Sequence, residues 1–199
     1  MGLPQRQPAI TAVEYLRSER AAEFRSEYFA GEIFAMAGGS LRKSLIKTNV
    51  GGELRAALKG RPCIACDSDL RIKVAASGLY TYPDASVLCE PIEFEDEQRD
   101  TVLNPIVLVK VLSPSTEAYD RGKKFEHYRR IPSLREYLLV SQEAPHVEHF
   151  LRNDDRTWTL TEVMGLEATL TLPTLGIKIL LSEIFDKVDF SPTESAENI

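Results

Sequence analysis

Apolar and polar positions alternate along this chain with two distinct periods. From Leu41 to about Leu58 the apolar residues Leu45, Ile46, Val50, Leu54 and Leu58 recur near every 3.6 positions, which predicts an amphipathic helix. Gly38-Gly39-Ser40 precedes it and Lys59-Gly60-Arg61-Pro62 ends it. A shorter helix is expected over roughly 11 to 18, with Thr11 as N-cap and Glu14 three residues on as its capping-box partner. Glu27 to Met36 reads as two short β-prone runs broken by Ala30-Gly31, a hairpin signal. From Cys63 to Glu90 the pattern is strand-like: Leu70, Ile72 and Val74 alternate with Arg71 and Lys73, and Ala85 to Cys89 follows Pro83-Asp84. Ile106 to Leu112 is the most apolar β-branched run and reads as a central strand, broken only by Lys110.

Ser113-Pro114-Ser115-Thr116 stops that strand, because proline cannot continue a ladder and Ser115 or Thr116 can cap a helix. A helix is expected from about 117 to 130, with Asp120, Lys124 and His127 on one face. Strands are expected at Glu136 to Ser141, His146 to Arg152, Trp158 to Val163 and Thr169 to Leu172, and a terminal helix at Leu180 to Val188. Helices interleaved with strands predict an α/β fold with a central mixed sheet flanked by helices. Residues 1–10 read as a polar lead-in, 11–190 as one domain and 191–199 as a flexible tail.

Composition narrows the function. Twenty-four Lys and Arg against 30 Asp and Glu give a net charge of −6, which excludes a uniformly basic coat but not a local basic cleft. No apolar run is long enough to span a membrane, and the N-terminus lacks the apolar core of a secretory signal. The three cysteines cannot all pair within one chain, which suits a reducing cytoplasm. Cys63 and Cys66 form a CxxC without a second pair, too little for a zinc site.

Asp84 opens one apolar strand, and Lys110 interrupts another. A lysine is rarely buried unless paired. Either the strand is solvent-lined at Lys110, or the lysine meets a carboxylate such as Asp84 or Asp69. The Ser-Pro-Ser-Thr connection then forces the next helix to start at the end of the same strand, so Lys124 on its early turns can reach back to the strand ends. Basic residues gather on two helices, Arg42, Lys43 and Lys47 on the first and Arg121, Lys123, Lys124, Arg129 and Arg130 on the second. If both flank one cleft, they offer phosphate contacts.

The segments Asn104 to Thr116, Tyr119 to Phe125 and Ile131 to Tyr137 closely resemble the Uma-two family of restriction endonucleases. Further matches are Arg25 to Tyr28, Gly31 to Ile33, Met36 to Gly39, Ser68 to Arg71 and Tyr82-Pro83-Asp84. The resemblance runs from about Thr11 to Ile184. It implies a restriction-endonuclease-like fold, a PD-(D/E)XK type of site, Mg²⁺ or Mn²⁺ as cofactor, DNA as partner and a homodimer that cuts both strands. It places Asp84 at the family's Pro-Asp acid, Lys124 at its lysine, and Asp69 and Glu32 at further acidic positions. Of the basic residues on the two helices, Arg42, Lys43, Arg121 and Lys123 are the ones expected to contact nucleic acid.

One position departs from the family. The second acid of the motif falls on Lys110. An ammonium there repels a divalent ion, and at ~4 Å with an effective dielectric near 20 each unit of charge is worth about 4 kcal/mol at most. Three readings stay open. Asp69, Glu32 or Glu27 substitutes for the missing acid; or Lys110 takes the ion's place and the chain keeps the fold without the chemistry; or Lys110 was introduced in place of an acid.

Overall fold

The structure is a computed structural model that describes residues 9–36 and 38–191. Most of the expected lead-in, the expected tail after Ser191, and Ala37 of the Gly-Gly motif lie outside the described residues.

The chain opens with α1 (Ala12–Ala21), β1 (Ser26–Phe29), β2 (Glu32–Ala35) and α2 (Leu41–Ala57). Then come β3 (Cys63–Asp67), β4 (Arg71–Val74), β5 (Leu79–Thr81), β6 (Ala85–Cys89), β7 (Thr101–Val102) and β8 (Val107–Val111). One helical stretch comes next in three parts: α3 (Glu117–Tyr119), a π-helical turn (Asp120–Lys124) and α4 (Phe125–Tyr128). The rest is β9 (Glu136–Val140), β10 (His146–Arg152), β11 (Trp158–Met164), β12 (Thr169–Leu172), β13 (Ile177–Leu180) and α5 (Leu181–Ile184).

Local chemistry sets several of these boundaries. Thr11 accepts from the Glu14 N–H and Glu14 answers on the Thr11 N–H, the expected capping box. Ser40 caps α2 through the Lys43 N–H. The β1–β2 hairpin turns through Ala30 and Gly31 at positive φ; a Cβ at Gly31 would lie 2.6 Å from that of Ala9, so glycine is required there.

Two principal sheets form rather than a single one. The larger has the order β11-β10-β9-β8-β6-β3, with β8 and β9 parallel and the other pairs antiparallel, so it is mixed, as expected. Its β8 is central and wholly buried. The second sheet has the order β2-β1-β5-β4-β7. Period-two alternation sends Val107, Val109 and Val111 to one face, against Ile46, Val50 and Leu54 of α2 and the β12–β13 ribbon. Leu108 and Leu112 go to the other face, against Tyr128 of α4 and Ile72, Val74 and Leu79 of the second sheet. Lys110 shares that second face and is 6% exposed.

Three expectations change. Leu180 ends a strand rather than opening the terminal helix, because Gly176 at positive φ turns residues 177–180 back on β12, and α5 spans only Leu181–Ile184. Arg71 does not face solvent; it is buried and bonded to Thr101, Tyr82 and Asp100, so strand alternation there carries a buried polar network. The helix from 117 is not a regular α-helix to 130, since five of its residues form a π-turn.

The cysteines are not all free. Cys63 and Cys89 face each other across the β3–β6 ladder and are bonded, leaving Cys66 as the free thiol. The bond joins positions 26 residues apart, and the segment between them contains β4, β5 and Asp84. Loop closure of that length stabilises by up to about 3 kcal/mol in the chain-entropy view. Reduction with dithiothreitol is therefore expected to lower the melting temperature by about 5 °C or more, while Cys66→Ser, at a part-buried position against the core, lowers it less and leaves the effect of dithiothreitol intact; scanning fluorimetry of both checks this.

Candidate active site

The register of the β6–β8 ladder builds the centre of the site. Ala85 pairs with Val109, so the next pair outward sets Asp84 opposite Lys110. Directly opposed side chains of an antiparallel pair sit close enough to touch. The Lys110 Nζ lies 3.2 Å from Asp84 Oδ2. The same carboxylate oxygen accepts the Val111 N–H at 2.7 Å, while the Asp84 N–H donates to the Val109 carbonyl at 2.9 Å. Pro83 has no N–H to extend the ladder, and the Asp84 side chain takes over as its last acceptor.

Two helices complete the cluster. From α2, Lys47 reaches Asp84 Oδ1 at 3.5 Å and donates to the Ser68 hydroxyl at 3.1 Å. From the π-turn, Lys124 donates to both oxygens of Glu27, at 2.8 and 2.9 Å. Its Nζ also lies 3.7 Å from Asp120 Oδ1. The Thr81 hydroxyl donates to Glu27 at 2.6 Å, anchoring that carboxylate on β1 to β5. Asp120 is 1% exposed, and neither carboxylate oxygen has a hydrogen-bond partner. Asp120 and Lys124 lie four apart within the π-turn, and both are buried.

Burial and charge act against each other on Asp84, Glu27 and Lys110. Burial pushes the Asp84 carboxyl up, but Lys110, Lys43, the Val111 N–H and Lys47 together pull harder, leaving it below the ordinary carboxylate range. Glu27 behaves alike, with burial outweighed by Lys124, Thr81 and Lys110. Burial pushes the Lys110 ammonium down, and Asp84, Asp120 and Glu27 outweigh it, so Lys110 stays a cation. Lys110 thus sits in the field of all three carboxylates, paired directly with one.

The predicted site residues divide. Asp84, Lys110 and Lys124 converge on one buried cluster. Asp69 does not join it: its carboxylate is exposed, lies 2.7 Å from Arg25, and lines a separate polar cavity of about 220 Å³ with Arg71 and Tyr82. Asp69 comes just after the sharp Asp67-Ser68 turn, which directs it outward to that guanidinium. Glu32 stands on β2, an edge strand whose four residues are all exposed. Lys43 lies on the same face of α2 as Lys47, one turn earlier, and feels the charge of Asp84 and Lys110. Arg42 is drawn instead to the Gln142 and Ser191 carbonyls. Arg121 is taken by Glu148, and Lys123 lies 3.5 Å from Glu126. Their acidic neighbours leave both basic residues directed away from the cluster. His127 is buried and packs on the Phe29 ring.

Glu27 and Lys47 carry more of the site than their sequence context signals. Glu27 sits in an ordinary β-prone run, and only the Arg25 to Tyr28 match marks it. Lys47 is marked by its spacing of four from Lys43.

The donor set does not suit a divalent ion as it stands. Among the described residues, no group of three His, Cys, Asp or Glu is placed to hold a metal. The carboxylates that do approach each other have the Lys110 and Lys124 ammonium groups between them.

Comparison with known proteins agrees with this architecture. The family model Uma2, described as "Putative restriction endonuclease", matches residues 12–182, and the chain belongs to that family. Two uncharacterised proteins of Synechocystis are similar: sll1609 is 39% identical over 81% of this chain and 91% of its own length, and slr1290 is 37% identical over 92% and 95%. The fold is that of a crystal structure from Anabaena variabilis, described as "a putative nuclease belonging to DUF820", with a TM-score of 0.72. That likeness covers 88% of this chain and 97% of the other at 19% identity, so it bears on the fold alone. The fold is restriction-endonuclease-like, as expected. No helix among the described residues is long and apolar enough to cross a membrane.

Two measurements probe the cluster. Lys110→Met leaves the buried Asp84 carboxylate with only the more distant Lys47 as a cationic partner and is expected to cost about 3 kcal/mol in urea unfolding, most of it recovered in the Asp84→Asn, Lys110→Met double variant. Because Asp84 and Glu27 have lowered pKa values, their contribution is present above the unfolded carboxylate value. It is lost as pH falls below about 4 and through the folded values. Urea midpoints are expected to fall over that range, and less steeply in Asp84→Asn.

Proposed function

We propose that this chain is a DNA endonuclease of PD-(D/E)XK type whose metal-dependent chemistry is impaired because Lys110 stands where the family has an acid. One observation carries the reading: the Lys110 ammonium lies 3.2 Å from Asp84, on the carboxylate that would otherwise face the ion. Membership of a family described as restriction endonucleases supports the nuclease ancestry. The inward Lys124 supports the PD-(D/E)XK assignment, since its cation lies beside the acids although it comes from the helix and not the strand.

The chemistry of that class needs anionic oxygens to hold Mg²⁺ or Mn²⁺ against a phosphodiester. In this chain Lys110 supplies the balancing positive charge itself, and its present residues support no step through a metal. What remains to them is electrostatic: Lys124 holds Glu27 in place, Lys47 and Lys110 hold Asp84, and the part-exposed Lys43 and Lys47 present positive charge to solvent. A nuclease-fold protein that binds nucleic acid or another protein without cutting is the second reading, favoured by the same ion pair. Cutting both strands takes two sites, and a two-fold homodimer belongs to the endonuclease reading. Light scattering on the purified chain tests that part.

The decisive test compares the wild type with Lys110→Glu on plasmid, linear and single-stranded DNA in Mn²⁺, with calorimetry of Mn²⁺ binding alongside. The wild type is expected to bind no ion and to leave all three substrates intact. Lys110→Glu is expected to gain both ion binding and cleavage, and Lys124→Ala on that background to lose the cleavage. Efficient cutting by the wild type would overturn the proposed impairment, and a folded Lys110→Glu variant that neither binds nor cuts would overturn the endonuclease reading.

A further inference from the structure

The cluster around Asp84 is layered by charge. Its floor holds Asp84, Glu27 and Asp120, all buried or nearly so, with Lys110 and Lys124 among them. Its rim holds Lys43 and Lys47, successive turns of the same helical face. Lys47 is 30% exposed and Lys43 is half-buried. Three carboxylates therefore stand against four ammonium groups, and the surplus positive charge lies toward solvent.

Asp84 already accepts from the Val111 N–H and is paired with Lys110, so it cannot fully neutralise the lysines above it. Lys43 has no carboxylate of its own among the described residues. Burial holds its pKa below the usual lysine range, Asp84 lifts it only in part, and Lys110 and Lys47 depress it further. A second anion at the rim would relieve both repulsions. The 17-residue helix begins just beyond, at Ser40, so its N-terminal partial charge adds to the same field. Ser68 anchors Lys47 through its hydroxyl, which fixes one ammonium while Lys43 stays adjustable.

We propose that Lys43 and Lys47 form a metal-independent seat for one backbone phosphate of duplex DNA, over the Asp84–Lys110 pair. The seat rests on the nucleic-acid-binding reading above and deepens it: with Lys110 in the ion's place, the rim ammonium groups of Lys43 and Lys47 supply the attraction for the phosphodiester. Side chains four apart on a helix lie near enough to bracket the two non-bridging oxygens of one phosphate. A charge-assisted contact of this kind carries no base information, so the grip is independent of sequence.

The test is fluorescence anisotropy of a short labelled duplex in excess EDTA, over a range of salt. The wild type is expected to bind equally with and without EDTA. Lys43→Ala/Lys47→Ala is expected to weaken binding by about tenfold and to flatten the plot of log affinity against log salt by about 0.9, the release from one phosphate. Arg55→Ala/Lys59→Ala removes the same charge from exposed positions at and just beyond the far end of the same helix and is expected to change affinity by less than about twofold. Lys43→Ala alone, which leaves the Lys47–Asp84 pair intact, is expected to show an intermediate loss if the double variant folds poorly. Binding that appears only with Mg²⁺, or equal losses in the two double variants, would overturn the seat. Neither result touches the cleavage gained by Lys110→Glu, so failure of the seat is distinguishable from failure of the endonuclease reading.

Discussion

Moving a carboxylate and an ammonium out of water costs several kcal/mol for each ion, and proximity alone does not recover that cost. At the Asp84–Lys110 pair the remainder comes from geometry that the sheet supplies. The ladder between β6 and β8 sets the two residues opposite each other. A backbone N–H completes the coordination of the aspartate. The surrounding elements then arrange themselves about this pair: α2 contributes Lys47 and Lys43, β1 contributes Glu27, and the π-turn contributes Lys124 and Asp120. Without the pair, the middle strand of the larger sheet would hold an unmatched charge at its end, in a layer otherwise filled by Leu108, Leu112 and Tyr128.

A resident ammonium and a bound divalent ion solve the same electrostatic problem in different ways. Both neutralise converging acids, but the lysine is covalently attached, carries one charge and offers no exchangeable water. A site so filled retains the fold and its outward field while losing the Lewis acid. Family membership and the shared fold are compatible with either condition, which is why a single position decides between cutting and gripping.

Much of the architecture was legible in the residues. The Thr11–Glu14 box, the hairpin at Ala30-Gly31, the period of α2 and the apolar run of β8 are local signals, and each formed where it was expected. The strand at 177–180 was hidden because its four residues run directly into a short helix with no breaker between them. The π-turn was hidden because its extra residue is chosen by tertiary packing, not by any residue type in Asp120 to Lys124. For the site, Pro83-Asp84 and the lone lysine in an apolar strand were visible, whereas their opposition depends on register, which no local pattern records. Asp69 and Glu32 were drawn in by motif alone; one is bound to Arg25 and the other stands on an open edge.

The π-turn has a consequence for how this helix tolerates change in length. Five residues there occupy a wind that an ordinary α-helix would make with fewer. Loss of one, with Gly122 a position that has open space around it, would let the wind relax to the ordinary form, so the shortening is absorbed within the turn and is not passed on as a rotation of the flanking helical segments. Asp120 and Lys124 would then stand three apart, a spacing that still shares a helical face. The extra residue gives this segment a tolerance to shortening that a regular α-helix lacks.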